Sequence, residues 1–168
     1  MKTLKATFLI PALTLMISAA AGAQTNLTSI DGGRVDVEGQ NGKVVVLAVG
    51  ASWLPLSSKQ ADYANALMKK YQGKPVVFYF VATDSTNTKS KNYADTATLK
   101  KWAFTNKLTM PLLRDPDGAA TLSKYEIDQI PSFVILDKSG NRSGEPFGGI
   151  DPKYDITIPM SKAIDKLL

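Results

Sequence analysis

A single α/β domain, with a central mixed β-sheet flanked by helices, is what this 168-residue sequence predicts. Three observations lead there. Val44 to Val49 and Val76 to Val81 are unbroken apolar runs rich in β-branched and aromatic residues, the pattern of strands covered on both faces. Between them, Ala61, Ala64, Leu67, Met68 and Tyr71 recur with the period of an amphipathic helix. Strand, helix and strand in that order form a βαβ unit, whose crossover is right-handed in nearly all proteins.

The remaining elements follow in chain order. Asp31-Gly32-Gly33-Arg34 is a turn after a polar lead-in, and Val35 and Val37 alternate with polar neighbours as a short edge strand does. Gly42-Lys43 opens the first buried strand. Ser57 or Ser58 is placed to cap the helix, and Gln72-Gly73 ends it. Asp84 to Tyr93, full of Ser, Thr, Asn and Lys with no apolar period, reads as a surface loop. Asp95 or Thr96 caps a second helix whose inner face is Leu99, Trp102, Ala103 and Phe104, with Trp102 read as core. Met110 to Leu113 is a short extended piece. Asp115-Pro116-Asp117-Gly118 is a turn leading into a helical stretch that reaches Tyr125. Ile130-Pro131 introduces the strand Ser132 to Leu136, Asp137 to Asn141 has hairpin chemistry, and Arg142 to Gly149 is read as a returning antiparallel strand. A helix from Thr157 to Leu168 closes the chain.

Composition removes more function classes than it suggests. The sequence contains neither cysteine nor histidine, so the side chains that most often act as nucleophile, general base and transition-metal ligand near neutral pH are missing. Twenty basic residues against fifteen acidic ones is too small a surplus to argue for a nucleic-acid partner. At the front, Lys2 and Lys5 precede an apolar stretch from Ala6 to Ala20, followed by Ala21-Gly22-Ala23. That is the pattern of a secretory signal peptide cleaved after Ala23. The apolar run falls short of the ~20 residues of a spanning helix, and Pro11 interrupts it. The expected organisation is therefore a signal peptide over residues 1–23 and one domain over residues 24–168. The mature protein is expected to be periplasmic or secreted, with no stable membrane anchor.

The first buried strand runs into Ala51-Ser52-Trp53-Leu54-Pro55-Leu56-Ser57 and then directly into a helix. Ile30-Asp31-Gly32, Gly42-Lys43, Asp115-Pro116-Asp117-Gly118, Ile130-Pro131-Ser132-Phe133 and Leu136-Asp137-Lys138-Ser139-Gly140 stand around it in a fixed order. Together these segments resemble the thioredoxin-like superfamily, in particular the exported TlpA/ResA-like thiol-disulfide oxidoreductases. The resemblance implies a thioredoxin-like fold. It also implies that Leu54 and Ser57 occupy the two positions of the family's WCxxC cysteines. There the first thiolate attacks the substrate disulfide and the second resolves the mixed disulfide. Leucine has no nucleophile, and a serine hydroxyl cannot replace a resolving sulfur. Ala48 stands where many members carry a polar or acidic residue that assists proton transfer. Leucine in place of the exposed nucleophile fits natural divergence better than a laboratory Cys-to-Ser replacement.

What the resemblance leaves is a surface. In thioredoxin-like proteins the proline matching Pro131 is cis, and the residue before it, here Ile130, offers backbone groups to an extended peptide. Trp53, Leu54, Pro55, Leu56, Ile130 and Pro131 are then expected to form an apolar patch at one end of the sheet, the candidate peptide-binding residues. No catalytic residue, metal or cofactor is assigned. Ser57-Ser58-Lys59 is a poor Ser-Lys pair, because neighbours at a helix start point apart and nothing suggests an oxyanion hole. Asp115 and Asp117 are too few carboxylates for a calcium loop, and the turn already accounts for them. The expected function is redox-inert binding of extended or unfolded polypeptide. The alternatives are a family-level oxidoreductase label without the activity, or a structural subunit docking on one specific partner.

Overall fold

The computed structural model describes residues 24–151 and 153–168. The expected signal peptide and its cleavage site lie outside the described residues. Two short strands, β1 (Asn26–Ser29) and β2 (Arg34–Asp36), precede β3 (Val44–Gly50), α1 (Pro55–Lys70) and β4 (Val76–Ala82). α2 (Thr96–Thr105), β5 (Leu112–Arg114), a 3-10 turn (Pro116–Gly118), β6 (Ser132–Leu136) and α3 (Thr157–Asp165) complete the fold. The six strands form one sheet in the order β2-β1-β5-β4-β3-β6. β3, β4 and β5 run parallel, and β1 and β6 pair antiparallel at their flanks. This is the expected mixed sheet with a βαβ unit at its centre.

Every residue of β3 is buried, as a strand with pairing partners on both edges and cover on both faces requires. Its alternate side chains feed two apolar clusters. Val44, Val46 and Ala48 join Phe78, Phe80, Phe133 and the inner faces of α1, α2 and α3. Val45, Leu47 and Val49 join Val81, Leu113, Val134 and Leu136 on the other face. No α-helix contributes to that second cluster among the described residues. It is closed instead by Val37 and by Tyr125 and Ile127 from the turns after Gly118.

Several elements differ from expectation. β1 lies in the stretch read as a polar lead-in, where Leu27 is its one buried residue. α1 begins at Pro55, with Leu54 as an N-cap that makes no side-chain capping bond. Neither Ser57 nor Ser58 caps it. Proline suits the first helical position because its missing N–H would have no partner there. Asp95 does cap α2, accepting the Thr98 N–H at 2.7 Å. Phe104 is 85% exposed, since five residues beyond Leu99 is about 140° around the helix from the buried side. Trp102 packs on Phe80 with ring centroids 4.8 Å apart. The returning strand is reduced to two isolated bridges, Phe133 with Phe147 and Leu136 with Arg142. Asp84 and Ser85, read as surface loop, are buried. Among the described residues no helix is long and apolar enough to cross a membrane.

A partly buried ionic cluster ties the first strands to the turn segment. Glu38 accepts hydrogen bonds from the Thr25 N–H at 3.2 Å and the Tyr125 hydroxyl at 2.9 Å, and pairs with Lys124 at 2.7 Å. Burial pushes the Glu38 carboxyl up, but Lys124, Tyr125 and the Thr25 N–H together outweigh it and hold the group below its ordinary value. A carboxyl held low in the folded state stabilises the fold above its unfolded pKa and loses that contribution as pH falls through the folded value. Glu38→Gln is therefore expected to be less stable than the parent at pH 7. The gap should shrink as pH drops below 4.5, as measured by urea unfolding at a series of pH values. A gap that is constant down to strongly acid pH contradicts this account.

Candidate functional site

The candidate site sits where β3 ends and β6 begins. Val49 is in register with Ser132, so the Ala51–Leu54 turn and the Ile130-Pro131 bond emerge at the same end of two adjacent strands. The Ile130-Pro131 peptide bond is cis. The side-chain amide of Gln60, on the inner face of α1, joins the two segments by donating to the Val49 carbonyl at 3.2 Å and the Ser132 carbonyl at 2.7 Å. α1 is thereby fixed against both strands directly beneath the turn.

The predicted binding residues divide by exposure. Trp53 is 48% exposed, Pro55 is exposed, and Leu54, Leu56 and Ile130 are half-buried. Pro131 is buried. Ile130 packs against the second apolar cluster. Among the described residues neither the N–H nor the C=O of Ile130 is hydrogen-bonded within the chain, so a backbone donor and acceptor stand free beside the turn.

Below this partly apolar surface lies a polar layer. Ser57 is fully buried, and its Oγ accepts the Ala51 N–H at 3.2 Å. The Ser57 hydroxyl therefore braces the turn from inside. Asp84, at the carboxyl end of β4, is fully buried and accepts the Ser52 N–H at 3.0 Å and the Ser52 hydroxyl at 2.5 Å. Thr83 adds two bonds to the Gly50 carbonyl, one from its N–H at 2.8 Å and one from its hydroxyl at 3.0 Å. Gln60 Oε1 and Ser132 Oγ are buried without a partner among the described residues. Leaving such atoms unpaired costs about 1–3 kcal/mol each.

Gln60, Asp84 and Ser52 were not singled out from the sequence. Gln60 could have been, because it falls on the same helical stripe as Ser57, Ala64, Leu67 and Tyr71, a polar residue at an inward position. Asp84 carried no such signal, since its neighbours are polar and its burial depends on Ser52, far away in the chain. Ala48 is buried in β3 opposite Phe80 and Phe133, within the first apolar cluster, and its methyl group offers no proton-transfer function. Asp115 is buried and accepts from Ala120 N–H, Thr121 N–H and the Thr121 hydroxyl, which accounts for its carboxylate as a structural cap. Among the described residues no cluster of His, Cys, Asp or Glu could hold a metal ion.

The comparisons with known proteins agree with this architecture. The sequence profile of the AhpC/TSA family matches residues 19–141. The thiol-disulfide oxidoreductase ResA of Bacillus cereus is 25% identical over 114 residues, covering 68% of this chain. ResA of Bacillus anthracis is similar to the same extent. The match spans 60% of the length of these curated relatives. Among solved structures, a thiol:disulfide interchange protein DsbE from Chlorobium tepidum aligns with a TM-score of 0.71 at 20% identity, over 86% of this chain and 92% of its own. The pneumococcal exposed lipoprotein thioredoxin Etrx1 from Streptococcus pneumoniae gives 0.67 at 23% identity, over 86% and 100%. These likenesses establish the thioredoxin-like fold.

The close approach beneath the turn depends on Gly50. A Cβ there would lie 2.4 Å from Gln60 Oε1 and 2.8 Å from Ser57 Oγ, and both side chains are held by the bonds just described. Gly50→Ala is expected to lower stability by about 1–3 kcal/mol in urea unfolding. An unchanged midpoint would mean that Gln60 and Ser57 are not held as the structure has them.

Proposed function

The chain belongs to the AhpC/TSA family, and on that premise we propose that it is an exported, redox-inert member that binds extended or unfolded polypeptide around Trp53 and Ile130-Pro131. Thiol-disulfide exchange passes through a mixed disulfide and needs a sulfur on the protein. The sequence has none in cysteine form. Thiol-based peroxide reduction needs the same atom. Leu54 offers no nucleophile, and the Ser57 hydroxyl is buried and engaged with the Ala51 amide.

The observation that carries the binding proposal is the pair of unbonded backbone groups on Ile130 beside the exposed Trp53. An extended peptide laid along Ile130 gains main-chain hydrogen bonds in the manner of an added strand. Trp53, Leu54 and Leu56 supply apolar contact. None of these interactions involves sulfur, so they survive its loss. Export is supported by the leader-like pattern of residues 1–23, and the pneumococcal relative is itself an exposed lipoprotein.

The test joins an insulin-disulfide reduction assay to a binding titration with a reduced, alkylated, unfolded polypeptide. No reduction above the buffer rate is expected, together with saturable binding that Leu54→Asp weakens at least about tenfold. Aspartate is a favoured N-cap residue, so the variant is expected to hold α1 at least as firmly while placing a charge in the apolar surface. Genuine reduction overturns the redox-inert assignment. Binding that Leu54→Asp leaves intact overturns the site. Binding to one folded protein that unrelated unfolded peptides do not compete away supports the structural-subunit alternative instead.

A further inference from the structure

The parallel pairing of β4 is incomplete on one side. β5 accompanies only its second half, with Phe80 opposite Leu112 and Ala82 opposite Arg114. Along β4 the backbone groups alternate. Phe80 N–H donates to the Pro111 carbonyl at 3.1 Å and the Ala82 carbonyl accepts from Asp115 N–H at 3.0 Å, both toward β5. Thr83 N–H donates to the Gly50 carbonyl on the β3 side. The same alternation turns the N–H and C=O of Phe78 toward β5. The residue whose N–H would meet the Phe78 carbonyl there is Pro111, which has none. Among the described residues no hydrogen bond reaches either backbone group of Phe78 from that side.

The gap is held open. Asn65 on α1 donates to the Lys107 carbonyl at 3.0 Å and accepts from the Thr109 N–H at 3.1 Å and the Thr109 hydroxyl at 2.8 Å. These bonds fix the segment before β5 to the helix, so it does not close onto β4. What remains is a groove of about 770 Å³, with Phe78 along its strand side and Met68, Tyr71 and Pro111 among its walls. Lys69 and Lys74 also line it, and no acidic residue does. Neither lysine forms an ion pair among the described residues.

We propose that this groove takes an extended segment of another protein, with apolar residues alternating along it and a carboxylate at its flank, added as a strand beside Val76–Tyr79. The unpaired Phe78 groups supply the main-chain bonds, the apolar walls take alternate side chains, and Lys69 and Lys74 select acidic flanks. A second copy of this chain presenting the same edge would bring its own Lys69 and Lys74 against these, which disfavours self-pairing. The site lies at the amino end of β4, away from the Trp53 surface at the carboxyl end of β3, and does not depend on that surface binding anything.

Hydrogen exchange of the Phe78 amide, followed by NMR, tests it. In the free protein this amide is expected to exchange at least about tenfold faster than those of Val77 and Tyr79. The probe is a synthetic peptide of alternating Val and Thr with Glu at both ends. At saturation it should slow Phe78 exchange by about tenfold, in the parent and in Leu54→Asp alike. The same peptide N-methylated at alternate amides should give no protection. The exposed double variant Lys69→Glu/Lys74→Glu should lose protection by the acidic peptide and gain it from a Lys-flanked one. The proposal is overturned if Phe78 is already protected without peptide, or if millimolar peptide leaves its exchange unchanged. It is equally overturned if the N-methylated peptide protects as well, or if protection rises with protein concentration alone, which would make a second copy the occupant.

Discussion

β3 is the constraint on which the rest of the molecule depends. Seven consecutive residues, Val44–Gly50, are buried, with β4 parallel on one edge and β6 antiparallel on the other. Alternate side chains divide between two clusters, so the strand is the spine of both. A chain without disulfides draws its stability from such burial, at roughly 25 cal/mol per Å² of apolar surface removed from water. Because β3 is held so firmly, the point at which it ends is fixed as well. Gly50 lies at the turn that leads into α1, and everything of functional interest at that end of the sheet is arranged around it.

Two layers meet at that turn. The outer one, Trp53, Leu54 and Leu56, is apolar and at least partly exposed. The inner one is polar: Ser57 and Thr83 hold the backbone at Gly50 and Ala51, Asp84 holds Ser52, and Gln60 ties β3 to β6. Asp84, fully buried, takes both the N–H and the hydroxyl of Ser52. A turn braced from beneath in this way keeps its shape without a disulfide or a reactive thiol. On the proposed function, this bracing is what lets the surface keep its shape in a chain that has no cysteine.

The parts of the fold that were legible in the sequence are those whose signal is local. Continuous β-branched runs marked β3, β4 and β6, and helical spacing marked α1 and α2. The elements that were missed owe their structure to partners elsewhere. Asn-Leu-Thr-Ser has one apolar residue and no period, and becomes β1 because β5 offers it an edge from Leu113 to Arg114. Serine is a favoured cap, so the sequence pattern puts the start of α1 at Ser57 or Ser58, whereas Pro55 sets the first turn and Ser57 is turned inward. Asp84 and Ser85 have loop composition, and their partners lie elsewhere in the chain: Ser52 in the turn after β3 for Asp84, and Asn92, Ala94 and Asp117 for Ser85. At the candidate site the outer residues could be located from the Trp53–Ser57 and Ile130-Pro131 segments, since these are contiguous. The inner layer, assembled from four separate stretches of chain, could not.

The central claim is that the surface at the carboxyl end of β3 has outlived its sulfur chemistry as a binding surface. Backbone amide chemical shifts, recorded while a reduced, alkylated, unfolded polypeptide is titrated into the protein, test it most directly. The account predicts shifts concentrated at Trp53, Leu54, Leu56 and Ile130, with the amides of the inner layer and of β3 moving little. Saturating polypeptide that leaves Trp53 and Ile130 unmoved, or that shifts only residues remote from them, would contradict it.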